Sequence, residues 1–139
     1  MNLIEKIDSK QAIVSVVGLG YVGLPLAVAF TEAGFCVIGV DTDQNRVSAV
    51  THGESYLQDV PSEKLKPLVS KTESEWREVA MSPSVSTSRL AKMWATTEST
   101  ALSTADVVVV CVPTPLDATR NPDVSFIVSA VGDISVNLH

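Results

Sequence analysis

VVGLGYVGLPLA, residues 16–27, is the stretch on which the fold of this 139-residue chain turns. The run leading into it, AIVSVV at 12–17, is apolar, β-branched and too short for a helix, so it reads as a buried strand. The run leaving it, YVGLPLAVAFTEA at 21–33, is long enough for a helix, and Gly34 follows as the residue that closes one. Between them lies Gly18-Leu19-Gly20-Tyr21-Val22-Gly23. A G-x-G-x-x-G that ends a strand and opens a helix makes a separate demand on each glycine. The first permits the tight turn. The second lacks the Cβ that would keep a pyrophosphate off the backbone, and the third lets the helix pack close to the strand. The helix then presents its first N–H groups, and the positive end of its dipole, to the phosphates.

Working outward, FCVIGVD at 35–41 is a second apolar strand, and it ends in Asp41, 18 residues beyond Gly23. A carboxylate at that place accepts hydrogen bonds from the hydroxyls of an adenosine ribose. It also repels a 2′-phosphate, so the expected cofactor is NAD rather than NADP. An aspartate here can equally be a turn or helix-capping residue. Arg46 has several outlets: the adenosine side of a dinucleotide, a 2′-phosphate, the face of an adenine, an ion pair with Asp43 or Glu54, or solvent. Thr42 or Asp43 caps the helix that carries it, which ends near His52-Gly53.

The remaining elements are read with less help from motifs. Leu3, Ile4 and Ile7 lie at helical spacing, so residues 1–10 are expected to hold a short amphipathic helix. A further helix starts near Asp59, with Pro67 ending or kinking it. Residues 71–88 have little periodicity; a turn or two of helix fits 73–81, and SPSVSTS at 82–88 reads as a mobile loop. Strands are expected at 93–97 and at 106–112, DVVVVCV, stopped by Pro113. A last helix runs from about Asp123, with Phe126, Ile127, Ala130, Val131 and Ile134 on one face. Near-continuous apolar strands alternating with helices define an α/β chain with a doubly wound parallel sheet. The right-handed crossover rule orders its strands 93–97, 36–41, 12–17, 106–112. The carboxyl ends of 12–17 and 106–112 then flank the switch point where ligands bind, and Thr114 offers a hydroxyl there.

Composition sets the outer limits. With 45% hydrophobic and 19% charged residues the chain is not a disordered one, and its length suits one domain that buries roughly two-thirds of its unfolded surface. A net charge of −6 argues against a nucleic-acid partner. Cys36 and Cys111 stand far apart, and with His52 and His139 they make no metal-ligand spacing, so no metal is expected. Cys111, in an apolar run without a neighbouring His or Lys, reads as an inert buried thiol rather than a nucleophile. No stretch approaches the roughly 20 apolar residues of a membrane span, and no secretory signal is seen, so the expected setting is cytoplasmic.

Four segments together, VVGLGYVGLPLA at 16–27, GVDTDQNRV at 39–47, GESYLQDVP at 53–61 and CVPTPLDATRNPDVSFI at 111–127, resemble the N-terminal NAD-binding domain of the nucleotide-sugar 6-dehydrogenases, the UDP-glucose/GDP-mannose dehydrogenase family. The resemblance covers most of the chain and lapses over about 72–88, which reads as a mobile insertion. Residues 53–61 and 116–123 look most like the enzymes acting on UDP-N-acetylglucosamine or UDP-N-acetylmannosamine.

The resemblance implies a Rossmann-type domain over residues 1–139, truncated, as the first part of a larger multidomain enzyme. That enzyme would oxidise the C6 alcohol of a UDP-N-acetylhexosamine to a carboxylate in two NAD-dependent steps, in polysaccharide biosynthesis, and would form a homo-oligomer through later segments. The family's covalent mechanism uses a cysteine in a glycine-rich motif, with lysine, asparagine and glutamate partners, and neither Cys36 nor Cys111 stands in one. The residues here are therefore expected to bind cofactor and to catalyse nothing. The expected cofactor-binding set is Gly18, Leu19, Gly20, Tyr21, Val22, Gly23, Asp41, Arg46, Pro113 and Thr114. Two rival readings share the first domain: a stand-alone NAD-binding regulatory module, and the cofactor domain of a hydroxyacid-type dehydrogenase.

Overall fold

Four strands, β1 (Ile13–Val17), β2 (Cys36–Val40), β3 (Met93–Thr96) and β4 (Val107–Val110), pair in one parallel sheet of order β3-β2-β1-β4. This is the order expected from the crossover rule. The computed structural model of the protein describes residues 1–81 and 91–137. The expected mobile loop at 82–88 lies outside the described residues.

The strands are apolar throughout because both faces are covered. In β1 the side chains alternate: Val14 and Val16 enter one core with Leu24, Ala27, Val47 and Val50, whereas Ile13 and Val17 enter the other with Cys36, Ile38 and Trp76. The first core is roofed by α2 (Gly23–Glu32) and α3 (Gln44–Thr51), and is extended by Leu65 of α4 (Ser62–Leu65). The second lies under α5 (Glu73–Ala80), a 3-10 turn at Ser99–Thr104 and α6 (Ser125–Asn137). No helix among the described residues is long and apolar enough to cross a membrane.

Local chemistry sets the element ends. The short helix α1 (Leu3–Asp8) starts in a capping box between Asn2 and Glu5. α3 is capped by Asp43, whose side chain accepts from Asn45 N and Arg46 N. Pro67 does not kink a helix: α4 ends before it, and the chain continues as one 3-10 turn, Lys66–Leu68. The 3-10 turn at Ser99–Thr104 has no apolar period and was not expected. Within the segment read as an insertion, residues 73–80 form α5, which seats Trp76 fully buried against the sheet.

Three expectations need correction. The last strand is four residues, not seven, and its four valines are only half-buried, because β4 is an edge strand. Cys111 therefore lies just beyond the strand, half-buried, with its N–H donating to Val17 O at 2.7 Å. The inward face of α6 is Ile127, Ala130 and Ile134. Phe126 and Val131, expected on that face, are 47% and 52% exposed, because α6 packs chiefly on the Ser99–Thr104 turn rather than across the sheet.

Candidate functional site

The glycine turn sits at the carboxyl ends of β1 and β4, at the switch point of the sheet. Gly18 takes φ +98°, and a Cβ there would stand 2.6 Å from Cys111 O, so the two strand ends touch through a residue that has no side chain. Gly23 is tighter still: its Cβ would lie 1.6 Å from Gly18 O. That contact is the close packing of α2 against β1 which the spacing foretold. Gly20 differs from both. Its missing Cβ would meet no backbone, only the tip of the Arg46 side chain, with Nη1 at 3.6 Å, an ordinary van der Waals distance.

α2 begins without a side-chain cap. Its N-cap position, Val22, makes no capping hydrogen bond. Tyr21 and Val22 are 84% and 66% exposed, although both are large and apolar. The first turn of α2 is thus open to an anion, with two side chains standing free beside it.

Asp41 follows β2 and is 7% exposed. Its Oδ2 accepts from Leu19 N at 2.8 Å, and its Oδ1 from Asp43 N at 2.8 Å. Arg46 reaches Oδ2 through Nη1 at 3.5 Å, lies 3.9 Å from Asp43 Oδ2, and holds its guanidinium 5.9 Å from the centroid of the Tyr56 ring. Of the outlets open to Arg46 from its spacing, the structure displays the ion pair with Asp43 and adds one with Asp41. Leu19 is turned inward: its side chain is fully buried against Gly39, its N–H is given to Asp41, and its carbonyl accepts from the Tyr56 hydroxyl.

A cavity of about 370 Å³ opens beside this loop, lined by Gly20, Tyr21, Asn45, Arg46, Ala49, Tyr56 and Leu57. The structure thus brings Gly20, Tyr21 and Arg46 together in one concave surface. Pro113 and Thr114 lie exposed beyond β4 and line no part of it. Asn45, Ala49, Tyr56 and Leu57 escaped the reading of individual residues. The signal for Tyr56 and Leu57 was present in GESYL at 53–57, which carried resemblance without a role. Burial raises the Cys111 thiol above its ordinary pKa, which keeps it protonated and a poor nucleophile.

Comparison with known proteins bears on the family and the fold. Residues 12–139 match the family model of the UDP-glucose/GDP-mannose dehydrogenase family, NAD binding domain. An uncharacterized protein of Methanocaldococcus jannaschii is 35% identical over 121 residues, which are 87% of this chain and 11% of that one. The UDP-N-acetyl-D-mannosamine dehydrogenase of Escherichia coli K12 is 29% identical over 124 residues, 89% of this chain and 24% of the enzyme. Among solved structures, the UDP-D-ManNAc dehydrogenase of Pyrococcus horikoshii superposes with a TM-score of 0.70 at 25% identity, covering 91% of this chain and 26% of that one. The chain therefore spans at most about a quarter of the length of these relatives.

Proposed function

The chain belongs to the UDP-glucose/GDP-mannose dehydrogenase family as its NAD binding domain, and from that premise we propose that it serves an enzyme oxidising the C6 alcohol of a UDP-N-acetylhexosamine to a carboxylate in two steps. Support for the sugar class comes from the UDP-N-acetyl-D-mannosamine dehydrogenases among its relatives. The sugar-binding and catalytic groups belong to other parts of such an enzyme, which would also supply its oligomer contacts.

The observation that carries the cofactor site is the side-chain-free backbone at Gly20, bordering a cavity that Arg46 and Tyr56 also line, with the Arg46 tip as its nearest neighbour. A pyrophosphate would lie against Gly20 and the uncapped start of α2, where Tyr21, Val22 and Gly23 offer their backbone and the first helical turn holds no acidic residue. Asp41 would hold the adenosine ribose. A carboxylate has about four acceptor positions, and Leu19 N, Asp43 N and Arg46 Nη1 occupy three of them. One position is left for a ribose hydroxyl, but Asp41 is buried and lines no part of the cavity, so the ribose would reach it once Arg46, the longest of the three contacts, swings off Asp41. The displaced guanidinium keeps Asp43 and the Tyr56 ring as partners and stays over the adenosine side. Pro113 and Thr114, across the switch point, would face the remainder of the dinucleotide. Bound NAD supplies a hydride acceptor; the residues here only bind and orient it.

The test is to titrate the 139-residue chain with NAD calorimetrically and then assay it with UDP-N-acetylglucosamine and UDP-N-acetylmannosamine. Binding without NADH formation is expected. NADH production by this chain alone would overturn the assignment of catalysis to other segments.

A further inference from the structure

Tyr56 stands outside every strand and helix, on the segment that follows α3. Its own loop fixes it: Ser55 Oγ donates to Leu57 O and accepts from Leu57 N, and Ser62 Oγ accepts from Ser55 N at 3.0 Å. From that platform the Tyr56 hydroxyl donates to the carbonyl of Leu19, 37 residues away in the glycine turn. The peptide groups on both sides of Leu19 are then held, the N–H by Asp41 and the C=O by Tyr56. The next residue is Gly20, whose open backbone faces the cavity. On its ring face the same side chain carries Arg46, which is also paired with Asp41 and Asp43.

We infer that Tyr56 is a positioning residue for the dinucleotide: its hydroxyl braces the glycine turn against which a pyrophosphate would lie, and its ring holds Arg46 beside Asp43 and away from a 2′-phosphate. This rests on the reading of the cavity as the NAD site. Burial first, and then the charges of Asp41 and Asp43 against the opposing Arg46, raise the phenol above its ordinary pKa, which keeps the group a donor at neutral pH. The two halves of the role use different atoms and separate by mutation. Tyr56→Phe removes the donor and keeps the ring under Arg46. Tyr56→Leu removes both.

NAD and NADP are titrated calorimetrically into the wild-type chain and both variants, with the thermal midpoint recorded for each. Loss of one hydrogen bond predicts that Tyr56→Phe binds both nucleotides about 3- to 10-fold more weakly, with their ratio unchanged. Tyr56→Leu is expected to weaken NAD at least as much and to narrow the NAD-over-NADP ratio by about threefold or more, because the released guanidinium can meet a 2′-phosphate. A purely structural tyrosine would lower the thermal midpoint and leave the ratio alone in both. Wild-type affinity in Tyr56→Phe, or an unaltered ratio in Tyr56→Leu, overturns the inference. If Tyr56→Leu does not fold, the affinity of Tyr56→Phe decides. A wild-type chain that binds neither nucleotide instead sinks the reading of the cavity itself.

Discussion

Gly20 and Gly23 stand three residues apart in one turn, yet their side-chain-free positions serve different ends. A Cβ at Gly23 would lie 1.6 Å from a backbone oxygen, which no side-chain adjustment relieves. Gly23→Ala is therefore expected to cost about 1–3 kcal/mol or more of stability, by forcing α2 off β1. A Cβ at Gly20 makes only ordinary contact with the tip of Arg46. Gly20→Ala should fold as well as the wild type, or better by up to about 1 kcal/mol through its stiffer unfolded chain, and should lose NAD binding at least about tenfold because the methyl occupies the pyrophosphate's approach. Urea denaturation and NAD titration of the two variants check this, and equal effects of both on stability would refute it. Asp41 combines the two burdens. Its two oxygens serve two different backbone N–H groups. An asparagine can satisfy only one of them, so Asp41→Asn should cost about 1–3 kcal/mol in stability. It also removes the charge that opposes a 2′-phosphate, so the preference for NAD over NADP should narrow. Equal wild-type affinity for the two cofactors, in paired calorimetric titrations, would place Asp41 away from the ribose.

At the scale of elements, α5 shows how a weak local signal becomes a fixed part of the fold. Its start is ordinary chemistry: Thr72 caps Glu75 N, and Glu73 pairs with Arg77 one turn on. Helices of eight residues rarely persist alone. What retains this one is Trp76, fully buried against the sheet, its Nε1–H donating to Lys92 O at 3.1 Å and its ring 6.2 Å from that of Trp94. Trp76→Ala should therefore cost about 3–5 kcal/mol, read as a lowered urea midpoint. A loss under about 1 kcal/mol would mean that α5 is not docked as described. β4 runs the other way. Its four valines announce a buried strand from composition, but among the described residues only one of its edges is paired, with β1, and all four remain half-buried.

Across the whole molecule, the elements legible in advance were those whose chemistry is local. AIVSVV and FCVIGVD are strands because β-branched residues with both faces covered leave no alternative. The glycine turn is legible because its three glycines fall within six residues between a strand and a helix, although the atom that excludes a side chain at Gly18 is Cys111 O, far along the chain. Asp43 and Gly34 end helices by contacts of the same short range. These suffice for the strand order, since right-handed crossovers allow few arrangements, and for placing Gly20, Asp41 and Arg46 at one end of the sheet. What only the tertiary structure decided was which groups meet across long separations. Tyr56 reaches Leu19 from 37 residues away, Trp76 finds Lys92 from 16, and all four valines of β4 stay half-buried. No periodicity encodes such contacts, because they depend on how far each helix carries the chain before it returns to the sheet. The sequence determined by itself that a glycine turn and the carboxylate of Asp41 lie side by side; the fold alone decided that a tyrosine braces the one while its ring supports the arginine that pairs with the other.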